Sequence, residues 1–243
     1  MPNPPKPLSL SATSSLVLGL AAVTTIVLGG VGYRQGWWHF LPGLAASEWA
    51  TYASGLALVL SAVGLKQTRP GGTRRGLWPA AAGLLLALLP LGMAAQWEYA
   101  TRTTPAINDI STDIQDAPVF WDMPTPTDYP GGQTAELQRA AYPDVLPLKL
   151  ATPPEKVFEY ALAVAKNKGW TVVASAPEEG RIEATASSLL YGFVDEVAIR
   201  IKPVDGGAVV DMRSRSRIGK VDRGVNARRI RGFLADLKKN AAG

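Results

Sequence analysis

Apolar positions fall along this chain in two regimes. Up to residue 97 they run in long uncharged blocks, 7–33, 49–65 and 76–97, and beyond it they recur in short patterns bounded by Gly, Pro and Asp. Each block is long enough to cross a hydrocarbon core of roughly 30 Å, which predicts membrane helices at about 12–33, 49–65 and 77–97. The middle block is the shortest, but Trp49 and Tyr52 anchor one end and Lys66 can snorkel at the other. A cleaved signal peptide is the alternative for the first block. Against it, Lys6 is the only charge ahead and no small-x-small site leads into a polar start.

Past a Pro- and Asp-rich connecting stretch, 98–144, the pattern predicts a folded domain over 145–243. Val145 to Leu150 alternates as a short strand. Thr152, Pro153 and Glu155 then read as N-cap, first helical residue and capping-box acid, and Val157, Phe158, Ala161, Leu162 and Ala165 form one face of a helix ended by Gly169. Strands are expected over 170–175, 181–187, 193–202 and 208–217, with turns at 177–180 and at Asp205, Gly206 and Gly207. A last helix starts near Asp222 and buries Ala227, Ile230, Phe233, Leu234 and Leu237. The expected class is three transmembrane helices plus an α+β, two-layer domain. Its antiparallel sheet has four to five strands, with both helices on one face and the other face wet.

The connecting stretch lacks a sustained period and reads as irregular, though Ile107, Ile110, Val119, Phe120 and Trp121 are too apolar for a free linker, so part of it is expected to pack on the domain. Its prolines are 105, 118, 124, 126, 130 and 143. Asn108, Asp109, Asp113 and Asp116 do not follow the alternation of a calcium loop and suit turn formation.

Charge refines this division. Residues 1–97 carry six basic side chains and one acidic one, Glu48, whereas 98–243 carry 19 of each. The basic balance therefore belongs to the membrane segment and does not argue for nucleic acid as a partner. Lys66, Arg69, Arg74 and Arg75 follow the second block, against Arg34 alone after the first. Because translocating such residues is unfavourable, the N-terminus is expected in the cytoplasm and the C-terminal domain across an inner (cytoplasmic) membrane, in the periplasm of a bacterium. Tyr33, Trp37, Trp38, Trp49, Tyr52, Trp97 and Tyr99 would form the outer aromatic belt, with the lone histidine, His39, beside it. Small residues at four-residue spacing, Ala21, Thr25 and Gly29 or Gly83 and Ala87, permit close helix packing. Pro90 can kink the third helix. No charge lies inside a span, which argues against a transporter or channel.

Candidate chemistry is sparse. Cysteine is absent, so thiolate catalysis and thiolate metal sites are excluded, and neither a cofactor nor a metal is expected. Ser187 and Ser188 lack a local histidine or nucleophile-elbow pattern, and no glycine-rich phosphate loop precedes a helix. Residues 98–199 hold 7 basic and 15 acidic groups, while 200–243 hold 12 and 4. Arg213, Arg215 and Arg217 alternate onto one strand face and continue into Lys220, Arg223, Asn226, Arg228, Arg229 and Arg231. Of these, Arg213, Arg215, Arg217, Lys220, Arg223, Asn226 and Arg229 are the candidate anion site, for phosphate, carboxylate or an anionic lipid head group. The alternative is that the arginines pair internally with Glu183, Asp195, Glu196 and Asp211. Asp195, Glu196 and Asp222 are the weak candidates for acid–base work.

The run Pro105-Ala106-Ile107-Asn108-Asp109-Ile110-Ser111-Thr112-Asp113, the segment from Gly192 to Val197, and Arg213 to Lys220 with Asp222, Gly224, Asn226, Arg229 and Ile230 resemble the bacterial and plastid "domain of unknown function 1499" family over about 104–237. The resemblance implies no established activity, cofactor or catalytic residue. It places the connecting stretch inside the domain and points to the corner from Arg213 to Arg229. The function expected is therefore that of a membrane-anchored envelope protein, leaning away from an enzyme, whose periplasmic domain binds an anionic ligand, a lipid head group or a membrane-protein partner. An envelope enzyme using the corner carboxylates, or an accessory subunit of a membrane complex, are the alternatives.

Overall fold

The computed structural model describes residues 5–125 and 127–242, so Pro126 of the connecting stretch lies outside the described residues. The chain divides into a helical unit, Met1–Tyr99 with Leu189–Gly192, and a sheet unit, Ala100–Ser188 with Phe193–Gly243.

The helical unit is built from α1 (Leu10–Arg34), α2 (Phe40–Thr68) and α3 (Leu77–Thr103), each long and apolar enough to span a membrane. The second begins well before the uncharged block at Trp49, and the third runs past Trp97. A helix need not stop where hydrocarbon stops, so Glu48, Glu98 and Arg102 are helical although charged. His39 caps α2, its ring nitrogen accepting from the Leu41 amide. α3 continues through Pro90.

Lipid tails provide no hydrophobic drive between helices, so association depends on close van der Waals packing. The buried positions answer that need with small side chains. They include Ala12, Ser15, Gly19, Ala22 and Gly29 on α1, with Ile26 the one large side chain in that row, and Ala50, Ser54, Ala57, Ser61 and Gly64 on α2. On α3 they are Ala80, Gly83, Ala87 and Pro90. Steps of three and four residues alternate, as in a left-handed helix pair. The uniform four-residue rule chose wrongly on α1, where Ala21 is exposed and Thr25 only half-buried. Large residues such as Leu10, Val17, Trp49, Val59 and Leu85 face outward. Leu189–Gly192 belongs to this unit. Arg34 Nη1 donates to the Leu189 carbonyl at 2.8 Å, and the Tyr191 hydroxyl lies 2.8 Å from Ser47 Oγ.

In the sheet unit the order is β1 (Asp109–Ser111), α4 (Gly132–Ala141), β2 (Leu148–Leu150), α5 (Pro154–Asn167), β3 (Thr171–Ala176), β4 (Arg181–Ser187), β5 (Val194–Val204), β6 (Gly207–Ser216) and α6 (Val225–Ala241). The sheet has six strands, one more than the upper expectation. The antiparallel meander β3-β4-β5-β6 is completed at its far edge by β1 and β2, which pair with opposite ends of β6. α5 and α6 cover one face. Val157, Phe158, Ala161, Ile230 and Phe233 pack there against Ile182, Val197, Ile199, Val210 and Met212, and Trp170 stacks on Phe233 with ring centroids 5.5 Å apart.

The expected capping box is absent. Pro153, not Thr152, is the N-cap of α5, and the helix starts at Pro154 without a side-chain cap. α4 falls in a stretch read as irregular, because it buries only Ala135 and Gln138 and so leaves little apolar period. The Gln138 side chain acts as a piece of strand. Its carbonyl accepts from the Ser111 amide at 3.0 Å, and its amide donates to the Ser111 carbonyl at 2.6 Å.

Close packing in the helical unit sets the first prediction. A Cβ at Gly83 would lie 2.4 Å from Ser15 Oγ and 2.8 Å from the Leu16 backbone nitrogen. Gly83→Leu is expected to lower thermal stability of the full chain in detergent by at least about 1–3 kcal/mol. The outward-facing Leu85→Ala should be near neutral, and equal effects of the two would refute the seam.

Candidate functional site

Alternation puts Glu183 of β4, Glu196 and Arg200 of β5, Asp211, Arg213 and Arg215 of β6 and Asp109 of β1 on the sheet face away from α5 and α6. This face is not wet, contrary to expectation. Glu183, Glu196 and Arg213 have no solvent exposure. The chain between β1 and α4 crosses the face as a strap, with Phe120 and Met123 packed on Ala198.

Each buried charge is answered. Arg213 forks onto Asp109, at 2.9 Å from Nε to Oδ1 and 2.7 Å from Nη2 to Oδ2, and also donates to the Pro118 and Thr127 carbonyls. Arg215 lies directly opposite Glu196 in the β5–β6 register and donates to it at 2.7 Å through Nε. Its remaining donors reach Thr127 Oγ1 and the Thr125 carbonyl. The Phe120 ring lies 4.7 Å from the Arg213 guanidinium and 4.3 Å from that of Arg215, a cation–π arrangement. Glu183 accepts from the Trp121 and Asp122 amides and from Arg181, and Asp211 from Arg200. Asp116 of the strap is held below the usual carboxylate range by its hydrogen bond from Lys202 and by the Arg200 charge. Burial, aided by Asp109, pushes the Tyr129 phenol up to about 12.

The seven candidate anion-binding residues separate into three places. Arg213, Arg215 and Arg217 share the strap face. Asn226 and Arg229 lie on the helix side, where the Asn226 side-chain amide donates to the Asn108 carbonyl and to Ser216 Oγ. Asn226 Oδ1 accepts from Ser214 Oγ and from Arg229, which also donates to Asp195 at 2.5 Å. Lys220 and Arg223 occupy the turn between β6 and α6. The residue that sequence reasoning assigned to a turn, Asp109, is the counter-charge of Arg213; its place in the family-like run was the available signal.

The three acid–base candidates do not converge. Asp195 and Glu196 are consecutive on a strand and face opposite sides of the sheet, one on Arg229 and the other on Arg215 and Arg217. Asp222 accepts from the Gly224 and Asn226 amides at 2.8 and 2.7 Å, closing the start of α6. Burial raises its pKa, partly offset by those two amides.

Counter-charge is shared unevenly among the three arginines of β6 and the turn that follows it. Arg213, Arg215 and Arg217 rest on two carboxylates, because Glu196 serves both Arg215 and Arg217. The excess falls at Arg217, the most exposed of the three. Arg217 engages Glu196 through Nε at 3.0 Å, and its Nη atoms have no hydrogen bond among the described residues.

Three membrane-length helices joined to an antiparallel α+β domain define a membrane-anchored protein of the sheet-and-strap type described. The profile of the family described as a protein of unknown function, DUF1499, matches residues 109–237. That is more than half of the 243 residues, and the chain belongs to this family. The match runs from the first residue of β1 to the last buried leucine of α6, so it includes the strap. No curated protein matches the chain.

Removing Glu196 would leave two guanidinium groups sharing no counter-charge beneath the strap. Glu196→Ala is expected to cost about 3–5 kcal/mol, read as a lowered melting temperature of the full chain in detergent. An unchanged melting temperature would mean that the network contributes nothing to the fold.

Proposed function

We propose that the chain is a membrane-anchored envelope protein whose sheet domain binds an anionic group, a carboxylate or phosphate, at Arg217 and Lys220. The observation that carries this reading is that Arg217 shares its counter-charge, Glu196, with Arg215 and leaves its Nη atoms without a hydrogen bond among the described residues. One further anion would complete a network in which three arginines share two carboxylates. Lys220 is exposed in the following turn and has no polar partner among the described residues. Arg213, Arg215 and Arg229 position the corner, each being held by an internal carboxylate. An enzyme reading has no such support, since Asp195, Glu196 and Asp222 are each engaged by internal donors.

The purified full chain in mild detergent is expected to be thermally stabilised by inorganic phosphate or acetate above a chloride control of equal ionic strength. Arg217→Ala with Lys220→Ala should abolish that difference while leaving the melting temperature without anion close to wild type. Equal stabilisation of wild type and double variant would sink the proposal.

The reading also places the domain in the periplasm and the N-terminus in the cytoplasm of the inner membrane. Its support is the Lys66–Arg75 loop, which pairs with the N-terminal segment through hydrogen bonds from Lys6 to Gly72 and from Arg75 to Pro7. A topology reporter fused at the C-terminus should be active only outside the cytoplasm. Activity confined to the cytoplasm reverses the orientation.

A further inference from the structure

We infer that the edge strand β3 is a self-association surface, on which a second copy of this chain lays its own β3 antiparallel across a twofold axis at Val173. Sheet edges carry backbone N–H and C=O groups that must find a partner or face water. The two edges of this sheet meet that need differently. At the β1 edge the Gln138 side chain bonds to both the amide and the carbonyl of Ser111, closing that position as a strand would. β3 pairs with β4 alone, and among the described residues no helix, loop or side chain hydrogen-bonds to Thr171–Ala176 from the other side.

The sequence of the edge says what covers it. Thr171-Val172-Val173-Ala174-Ser175-Ala176 holds no charge and no proline, the residues by which natural edges repel a neighbouring strand. A bulge is another such device, and β3 has one, with Val173 as the extra residue that lacks a partner on β4. Its side chain is 46% exposed, and Thr171 and Ser175, two positions to either side, are exposed with it. Antiparallel pairing centred on Val173 gives a β-branched contact at the axis and a Thr171–Ser175 pair on each side of it. The strand ends then select a second copy. Lys166, shortly before the strand, and Glu178, shortly after it, are exposed and have no polar partner among the described residues, whereas Lys168 is held by Asp236 and Glu179 by Arg181. A twofold axis at Val173 brings the unpaired lysine of each copy toward the unpaired glutamate of the other. Parallel pairing would bring like charge to like. Exposed pairs of this kind add little strength, and their effect is to fix orientation and partner. All of these residues belong to the sheet unit, and none belongs to the Arg217 site.

The full chain has no cysteine, so a single introduced thiol reports the pairing. In mild detergent, Val173→Cys should give a covalent dimer on gentle oxidation, while Val204→Cys, at the end of β5 and equally exposed at 46%, should stay monomeric. Native mass spectrometry over a concentration series should show a wild-type dimer. Val173→Lys sets two ammonium groups face to face and should weaken that dimer roughly fivefold or more. The melting temperature of dilute Val173→Lys protein should match wild type, because the position has no partner on β4. Val173→Thr, which keeps the branched shape, should retain the dimer, as should Arg217→Ala with Lys220→Ala. A wild type that stays monomeric, even with a different protein copurified on it, overturns the inference. So does a dimer indifferent to Val173→Lys, which marks association through the membrane helices, or cross-linking as ready in Val204→Cys as in Val173→Cys.

Discussion

A carboxylate with no solvent exposure in the middle of a sheet survives ionised only if its charge and its lone pairs are both answered locally. Glu196 is in that position, and much of the sheet unit follows from it. Arg215 must stand opposite it in register, Arg217 must reach back to it, and water must be kept away by something with carbonyl groups to offer the remaining guanidinium donors. The strap supplies those carbonyls from Pro118, Thr125 and Thr127, and Phe120 lies over both guanidinium planes. What is irregular chain by local criteria is therefore as specified as a strand, because its backbone oxygens are partners that no other element provides.

The two units reach close packing by opposite chemistry. In water, apolar side chains are driven together, and the layer of α5, α6 and the sheet is filled with Ile, Val, Phe and Trp. In lipid the same side chains gain nothing by leaving the solvent. The buried seam is accordingly made mostly of Ala, Ser and Gly, with Leu, Val and Trp turned outward. Read as a soluble bundle, these helices would look inside out.

Legibility in the sequence tracked how local the physics was. The uncharged blocks located all three membrane-length helices, since an uncompensated charge in hydrocarbon is costly wherever it falls. The alternation in β4, β5 and β6 was readable because Val197, Ile199 and Ile201 face a core that any amphipathic strand would seek. The Thr152 capping box failed because Pro154 can also open a helix, and the pair Pro153-Pro154 left two valid starts. The charged face looked like a solvated one, since Glu196 and Arg200 read as outward residues until the strap, some 80 residues earlier, is laid over them. The arginine row was seen as one surface. Its division follows from Arg229 reaching Asp195 on the helix side, a contact that depends on where α6 crosses the sheet.

The adjacency of Asp195 and Glu196 has a consequence for how the sheet finds its alignment. Each carboxylate is claimed by a different layer, one by Arg229 of α6 and the other by the arginines beneath the strap. Sliding β5 by one residue would swap its faces, bringing Val197 among the guanidinium groups and turning Glu196 toward the helix layer. Strands patterned only by apolar alternation can slip by two residues and still look amphipathic. This one cannot, because a two-residue slip keeps the faces but strands Arg215 opposite an apolar neighbour. The acidic pair thus acts as an alignment key, tying the register of β5 to two layers at once.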